Sequence, residues 1–453
     1  MKSIFQFLVL IFSITLAAQD PTGSKVTQQA IEQRGAMKQA SLVKNLAFTS
    51  IGPTVMSGRV ADVAVNPNNV TEFYVGYASG GLWYTNNNGT SFTPVLDSAP
   101  TQNIGDIAVD WNTGTIWVGT GEKNSSRSSY AGIGVLKSTD SGETWEHVGL
   151  SDAHHVSRIL INPNNAEEVI VGVIGHLYSS NSERGVFKTV DGGKTWVKSL
   201  FINNETGIID VAFAPENFNI MYAASWERAR KAWNFDGDGK HSAIYKSTDA
   251  GSSWVKIGVK SGFPVGNGVG RIGLAVYNED TVYALHDSQF RRPKEIDEKQ
   301  SNVLTKEDFK TMSATDLLEI ADKKLNTYLK NNGFQEKYRA ENVKQMVRVG
   351  AVKPIDLAKY LEDANSMLFD TQVIGAEVFK TIDGGASWKK THAHFLDGVY
   401  SSYGYYFGEI RVDPRDENGI YVLGVPIIKS KDGGASFTSI SKENVHSDHQ
   451  ALW

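Results

Sequence analysis

Cysteine is absent from the 453 residues of this chain. Its absence excludes disulfide bridges, thiolate metal sites, cysteine nucleophiles and acylation of an N-terminal cysteine. The stability of the folded chain must therefore come from packing.

The chain also lacks an excess of positive charge. Lysine and arginine number 45 against 50 aspartates and glutamates, which gives a formal net charge of −5. Binding to a nucleic-acid backbone depends on clustered positive charge that displaces counterions, so we expect no nucleic-acid partner. With 41% apolar and 21% charged residues, the composition is that of a globular protein and excludes disorder over most of the chain.

Long apolar runs are missing beyond the N-terminus. There, Lys2 precedes an apolar run from Ile4 to Ile14, and small residues follow at Ala17 and Ala18. This pattern predicts a signal peptide over residues 1–18, and a run of roughly 13 residues is short for a membrane span, which needs about 20. We therefore expect a mature chain without a membrane span, secreted or held in the periplasm or at the surface of a bacterium; an uncleaved anchor is the alternative. Residues 19–47 form a polar segment to which we assign no function.

An eight-residue pattern recurs along the rest of the chain. It reads hydroxyl residue, any residue, Asp, any residue, Gly, any residue, hydroxyl residue, aromatic ring, as in the segment from Ser138 to Trp145. Further copies begin at Thr189, Ser247, Thr381 and Ser430, and a copy from Thr85 to Phe92 carries Asn87 in place of Asp. The glycines of the six copies are separated by 53, 51, 58, 134 and 49 residues. A unit of about 50 residues is therefore repeated and is interrupted once by an insertion of roughly 80.

Each octet lies between two short strands and is predicted to be a hairpin turn. Its Asp can accept backbone N–H groups and its Gly supplies a positive φ; the structural aspartates are Asp140, Asp191, Asp249, Asp383 and Asp432. Two more strands precede each octet, as in the segments 62–66 and 72–76. Four short strands per unit predict an all-β fold, a β-propeller whose blades each carry an octet hairpin.

The octets resemble the Asp-box, also called the BNR repeat. From about Phe48 onward, with Gly58-Arg59-Val60, Gly80-Gly81-Leu82-Trp83 and Gly119-Thr120-Gly121-Glu122, the chain resembles the N-terminal propeller of sortilin, in a bacterial exported group often labelled glycosyl hydrolase. The resemblance implies a propeller over residues 48–453 with six Asp-box units. Because Val445 to Trp453 resembles the opening strand of another blade, we expect truncation within a larger protein; closure of a six-bladed ring is the alternative.

The insertion has a different composition. Residues 291–370, within the fifth unit, are rich in Lys, Glu and Leu, with a cap at Ser313 to Asp316 and apolar residues at helical spacing. We predict a small helical subdomain, either a lid over the channel mouth or a decoration of the outer rim.

A charged residue recurs at one position of the strand predicted to lie nearest the central channel. These residues are Asp62, Asp106, Arg158, Asp210, Arg271 and Glu409. Such a ring could bind a cation or sugar hydroxyls, or it could consist of salt bridges between blades, with Arg59 joining either network. The carboxylates Asp62, Asp106, Asp210 and Glu409 are the catalytic candidates if the protein is a hydrolase.

The loops over the same face are rich in polar and aromatic residues. We predict a ligand site of Arg59, Glu122, Arg158, Trp226, Arg228, Trp233 and Arg271, with Trp226, Trp233 and Glu122 on one rim. Solvated loops of a secreted protein are the alternative. The segment with Asn234, Asp236 and Asp238 matches the first half of a Ca²⁺ loop, but Tyr245 stands where a bidentate Glu is needed. Apart from this possible Ca²⁺ we expect no cofactor, and His446, Asp448 and His449 are weak candidates for a metal site.

Three functions remain open. The favoured hypothesis is a recognition module that binds an extracellular peptide, protein or glycan without catalysis. The second is a glycoside hydrolase with paired carboxylates, although the sialidase Phe-Arg-Ile-Pro motif is missing, and Ala78 or Ser79 stands where xyloglucan-cleaving Asp-box enzymes carry a catalytic Asp. The third is a structural module of a larger surface protein.

Overall fold

The structure is a computed structural model that describes residues 21–46, 58–292, 304–361, 373–400 and 403–453. The predicted signal peptide lies outside these residues. The chain forms two compact units: the first runs to Gln289 and continues with Gly375–Tyr400 and Gly404–Trp453, and the second comprises Phe290–Ile374 and Ser401–Tyr403.

The predicted fold class is confirmed, since six four-stranded antiparallel sheets form a β-propeller. The strands of the first three blades are β1 (Val60–Val65), β2 (Phe73–Tyr77), β3 (Gly81–Thr85), β4 (Thr93–Pro94), β5 (Ile104–Asp110), β6 (Thr115–Thr120), β7 (Val135–Ser138), β8 (Glu146–His147), β9 (Val156–Asn162), β10 (Asn165–Val173), β11 (Gly185–Thr189) and β12 (Val197–Leu200).

The other three blades repeat this order of strands. Their strands are β13 (Thr206–Ala214), β14 (Asn217–Glu227), β17 (Ala243–Ser247), β18 (Val255–Lys256), β19 (Val269–Val276), β20 (Val282–Arg291), β21 (Val373–Thr381), β22 (Lys389–Lys390), β23 (Glu409–Asp413), β24 (Asp416–Leu423), β25 (Ile427–Ser430) and β26 (Thr438–Ser439). A separate hairpin of β15 (Ala229–Arg230) and β16 (Phe235–Asp236) lies within the fourth blade.

The first strand of each blade is the inner strand. Contacts between first strands run in order from β1 through β5, β9, β13 and β19 to β23. The apolar core lies between the blades, because the alternating side chains of one sheet pack on those of the next. Trp117 of β6, for example, is fully buried and meets Trp196 from the third blade edge to face, with ring centroids 6.4 Å apart.

The octets form hairpin turns at the ends of the third strands. In the second blade, Asp140 Oδ1 accepts the Thr144 backbone N–H at 2.9 Å and the Ser138 hydroxyl at 2.7 Å. The Ser138 hydroxyl in turn accepts the N–H of Gly142, whose φ of 96° favours glycine. The Trp145 ring reaches the preceding blade, where its Nε1–H donates to the Val95 carbonyl at 2.8 Å. This turn thus closes one hairpin and ties the second blade to the first.

The second unit is helical. It contains α2 (Lys306–Thr311), α3 (Ala314–Glu319), α4 (Asp322–Asn331), α5 (Ala340–Arg348) and α6 (Pro354–Lys359), which follow α1 (Ser24–Ala40) of the N-terminal segment. Ser313 and Asp316 form a reciprocal capping box at the start of α3. Leu325 and Leu329 of α4 are fully buried against other apolar side chains of this unit.

A short 3₁₀ helix, Val259–Ser261, completes the regular structure of the residues described. Of the helices in the described ranges, none combines the length and the apolar character that crossing a membrane requires.

We expect Asp249→Ala to lower the midpoint of thermal unfolding by about 1–3 °C, because the octet of the fourth blade would lose the acceptor of three donors. These donors are the Ser247 hydroxyl and the backbone N–H and hydroxyl of Ser253. Asp249→Asn should have a smaller effect, since Asn87 of the first blade accepts the corresponding Thr85 hydroxyl and Ser91 N–H. Equal effects of the two variants in calorimetry would contradict this role.

The hydrogen bonds of the octet also predict a dependence of stability on pH. They lower the pKa of Asp140, Asp191, Asp249, Asp383 and Asp432 to about 2. A lowered pKa in the folded state means that the contribution is complete above the unfolded pKa of about 4 and is lost as the pH falls toward 2. The unfolding midpoint of the wild type should therefore fall more steeply between pH 4 and 2 than that of a variant with all five aspartates replaced by asparagine.

Candidate functional site

One end of the propeller carries the longer loops. Each inner strand starts at this end and each second strand returns to it, so the loops that follow the second and fourth strands lie there, opposite the octets. We call this end the loop face and define it by segments 121–134, 149–155, 174–184, 228–242 and 403–408. It is the face on which the predicted site residues were expected.

Seven charged side chains of the inner strands and Lys123 from the loop after β6 come together beneath the loop face. We call this group the channel cluster. Its carboxylates are Asp62, Asp106, Asp210 and Glu409, and its cations are Lys123, Arg158, Arg271 and Arg411.

A local irregularity of the backbone positions five of these side chains. In five blades the register between the first and second strands shifts next to the charged residue, as between Val60 and Asp62 and between Ile104 and Asp106. A β-bulge of this kind redirects a side chain that regular pleating would place elsewhere.

Arg158 lies at the centre of the cluster and contacts carboxylates from three blades. Its Nε is 2.9 Å from Asp210 Oδ1 and its Nη1 is 3.2 Å from Asp106 Oδ1. Its Nη2 is 3.4 Å from Glu409 Oε2. The planar guanidinium offers several donors in fixed directions, so one side chain can join three separate carboxylates.

Glu409 contacts the three other cations of the channel cluster. Its Oε1 is 3.1 Å from Lys123 Nζ and 3.6 Å from Arg271 Nη2, and its Oε2 is 2.8 Å from Arg411 Nη1. Burial opposes the ionisation of Glu409, but Lys123, Arg411, Arg158 and Arg271 hold its pKa well below the usual value.

The aspartates of the cluster also bind the backbone of the next blade. Asp106 Oδ2 accepts the Ile159 N–H at 2.7 Å, and Asp210 Oδ2 accepts the Leu274 N–H at 2.9 Å. Asp62 Oδ2 does the same for the Ile107 N–H at 3.2 Å. Burial raises the pKa of Asp106 to about 7 against the effect of Arg158, and Asp62 adds to the rise. These carboxylates therefore hold neighbouring blades together. Of the two interpretations of the charged ring given above, this arrangement corresponds to salt bridges between blades.

Arg59 and Glu122 form a second ion pair on the loop face. Arg59 Nε donates to Glu122 Oε1 at 2.6 Å, and the hydroxyl of Ser129 donates to Glu122 Oε2 at 2.7 Å. The Glu122 side chain is only 1% exposed, whereas that of Arg59 is 28% exposed and lies over the Tyr406 ring. Of this pair, only Arg59 presents charge to a ligand.

The predicted rim of Trp226, Trp233 and Glu122 is not formed. Trp226 is fully buried and its Nε1–H donates to the Gly237 carbonyl, whereas Trp233 is 82% exposed. Arg228 is buried as well, and Arg271 donates to Asn124 Oδ1 within the channel. Trp226 is the last of the buried residues of strand β14, which run from Met221, so its ring belongs to the core. Among these residues only Trp233 can contact a ligand from solvent.

The segment with half a Ca²⁺ loop adopts a different geometry. Asp236 pairs with Ala229 in the β15–β16 hairpin, and Asn234 Nδ2 donates to Asp236 Oδ1. Asp238 Oδ2 accepts the N–H of Gly268 at 2.6 Å. The three residues thus stabilise the hairpin and its contact with Gly268, and their oxygen atoms do not converge on one point. At the C-terminal end, the Nδ1 of His446 pairs with the carbonyl of Ser447 and that of His449 with the carbonyl of Val425.

Sequence reasoning missed three charged residues of this region, of which Lys123 and Asp287 are buried. Lys123 was counted with the solvated loop, although its side chain is only 3% exposed, and Arg411 stands two residues after Glu409. Asp287 lies in β20, and burial raises its pKa to about 8. In the sequence it stands in a polar run, His286 to Gln289, so the pattern of residue types gives no sign of its burial.

Comparison with solved structures returns other propellers. An ancestral GH74 enzyme aligns with a TM-score of 0.52 at 18% identity over 86% of this chain and 39% of its own. The GH74 enzyme of Niastella koreensis gives 0.48 at 17% over 84% and 46%, and YCF48 bound to D1 peptide gives 0.45 at 10% over 89% and 90%. The chain thus spans about two fifths of the ancestral enzyme, and the likeness concerns the fold alone.

No family model matches the chain, and the search of curated proteins found no match. The resemblance of the octets to the sortilin Asp-box stays a prediction, since the similar structures named above are GH74 and YCF48 propellers.

We expect Glu409→Ala to lower the free energy of unfolding by about 3–5 kcal/mol, because the buried Lys123 and Arg271 and the partly buried Arg158 and Arg411 lose the carboxylate that they share. Glu417→Ala is the matched control. That residue is half-exposed and lies 4.0 Å from Lys380, and the loss of such a surface pair should cost at most about 1 kcal/mol. Urea unfolding followed by fluorescence measures both, and equal losses would contradict the role of the channel cluster.

Proposed function

We propose that the protein is a recognition module that binds an extracellular peptide or glycan on its loop face and performs no catalysis of its own. The observation that carries the proposal is the channel cluster. The carboxylates that a hydrolase would need form ion pairs with cations of the cluster and accept backbone N–H groups. The proposal includes the export and sortilin-like recognition that the sequence predicts.

The state of the carboxylates argues against hydrolysis. A glycosidase uses two carboxyl groups that face an open cleft and reach the scissile bond. Here Asp106, Asp210 and Glu409 are at most 4% exposed, and each is within 3.4 Å of a nitrogen of Arg158. A substrate would have to displace buried ion pairs, at a cost of several kcal/mol for each charge left unpaired.

Exposed aromatic side chains supply the binding surface. We call Tyr130, Tyr178 and Trp233 the aromatic rim; they are 57%, 54% and 82% exposed and come from the loops of the second, third and fourth blades. The Tyr178 hydroxyl donates to the Arg127 carbonyl at 3.2 Å, which joins two of these loops. Rings with a polar tip suit stacking on sugars or on peptide side chains.

Positive charge beside the aromatic rim comes from Arg59, whose side chain is 28% exposed. Arg230 is buried: its guanidinium lies 4.0 Å from the centroid of Phe235 and its Nε donates to the Ser125 carbonyl. Arg230 therefore adds to the local positive field and does not contact a ligand directly. Ligands that present carboxylates beside an apolar or sugar surface fit this combination best.

Hydrolysis of a polysaccharide is the second candidate, and the raised pKa of Asp106 is the observation that favours it, because a general acid needs such a pKa. Against it, Asp106 is only 1% exposed. Ala78 and Ser79 also leave the first blade without a carboxylate at the position expected for xyloglucan cleavage.

The test is a screen of peptide and glycan arrays with residues 19–453, followed by assay of reducing-sugar release from polysaccharides. We expect binding without turnover. Trp233→Ala and Tyr178→Ala should each weaken binding of the best probe by about tenfold, because each removes a stacking surface worth about 1.4 kcal/mol.

Tyr360→Ala is the control for this test, since it removes a half-exposed ring from the helical unit. It should leave the affinity unchanged. Release of reducing sugar that Asp62→Asn and Asp106→Asn both abolish would overturn the proposal in favour of the hydrolase. An unchanged affinity of both rim variants would exclude the aromatic rim as the binding surface.

A further inference from the structure

Two loops of the third blade bring three metal-binding side chains together. Asp152 and His154 precede β9, and His176 follows β10. In the part of the chain that the structure describes, they form the only set of at least three His, Asp or Glu side chains whose ligand atoms all lie within 4.8 Å of one another.

The ligand atoms are already close to a coordinating arrangement. His176 Nε2 lies 3.1 Å from Asp152 Oδ1, and two ligands of one tetrahedral zinc ion, each about 2.1 Å from the metal, lie roughly 3.4 Å apart. The rings of His154 and His176 stack with centroids 3.6 Å apart. Because an imidazole nitrogen binds a metal in the plane of its ring, one of the two rings has to turn about its side-chain bonds before all three ligands face a common ion.

Other side chains hold two of the three ligands, Asp152 and His176, in place. His176 Nδ1 is 2.8 Å from the Ser179 hydroxyl, an arrangement that leaves Nε2 to face Asp152. Asn181 Nδ2 donates to the Asp152 carbonyl at 2.8 Å and its Oδ1 accepts the His176 N–H at 3.0 Å. Second-shell hydrogen bonds of this kind orient ligands in metal sites.

The surrounding charge is mixed. Glu183 accepts the Asp152 N–H at 2.6 Å and adds negative charge beside the cluster. Arg184 is buried close by, but carbonyl oxygens of Ile174, His176 and Ser179 bind its guanidinium. Arg228 is buried as well and donates to the same His176 carbonyl at 3.2 Å. The two carboxylates of Asp152 and Glu183 thus face two guanidinium groups, and a divalent ion would not meet a net positive site.

We propose that Asp152, His154 and His176 bind one divalent transition-metal ion of the zinc type, with a fourth position open to water. Two imidazoles and one carboxylate favour such ions over Ca²⁺ or Mg²⁺, which prefer oxygen ligands. The bound ion would link the loops before β9 and after β10 on the loop face. Nothing in this proposal depends on the proposed function.

The test is titration of the metal-free protein with Zn²⁺ by calorimetry, with the bound metal counted by mass spectrometry. The wild type should bind one ion per chain. Asp152→Asn, His154→Asn and His176→Ala should each weaken binding at least tenfold; asparagine suits residue 154, where φ is 55°, because it tolerates that backbone conformation.

His241→Ala is the matched control, because His241 also pairs with a carboxylate, Glu227, at 3.0 Å but has no second histidine. It should bind Zn²⁺ like the wild type. Zn²⁺ should also raise the unfolding midpoint of the wild type and of His241→Ala but not that of Asp152→Asn. Unchanged stoichiometry and affinity in the variants of all three ligands, with folding checked by circular dichroism, would overturn the proposal, as would a wild type that binds no Zn²⁺.

Discussion

The compensation of buried charge in the channel is the constraint on which the rest of the propeller depends. Asp106, Asp210 and Glu409 lie in a poorly solvated place, where an unpaired carboxylate would be destabilising by several kcal/mol. Arg158 meets all three, so a single guanidinium joins the second, third, fourth and sixth blades. Backbone N–H groups of the next blade also donate to the channel aspartates. Because hydrogen bonds depend on direction, they fix the orientation of the carboxylates in addition to the attraction between charges.

Neighbouring blades are joined by different interactions at the two ends of each blade. At one end the octets close hairpins with short polar side chains and place an aromatic ring against the preceding blade, as Trp145 does with Val95. At the other end the inner-strand charges join the blades. Apart from Lys123, which comes from segment 121–134, both sets of contacts use residues outside the longer loops. Most positions of those loops can therefore vary in sequence without loss of the fold, and the proposed recognition surface is placed on them.

The fold could be predicted from the sequence because of the repeat. Each octet contains the residues that its own turn requires, and the spacing of the octets gives the number of blades. The position of the charged residues on the inner strands followed from the same alignment. Side-chain burial in the loops did not follow. The sequence around Lys123 suggests a solvated loop, but Lys123 forms an ion pair with Glu409 of the distant sixth blade. The sequence around Trp226 suggests a ligand-binding ring, but Trp226 lies in the buried part of β14 and packs within the fourth blade. No local sequence pattern indicates either contact.

The central claim is that the channel is closed by its own charges and is not a catalytic cleft. Hydrogen exchange of the ligand-free protein tests it most directly, at the amides of Ile107, Ile159 and Leu274, which the channel aspartates accept. The account predicts that these three amides exchange as slowly as the amides of the buried second strands, because both sets become accessible only when the whole propeller unfolds. Fast exchange of the three amides while the second strands stay protected would show an open, solvated channel and would contradict the account.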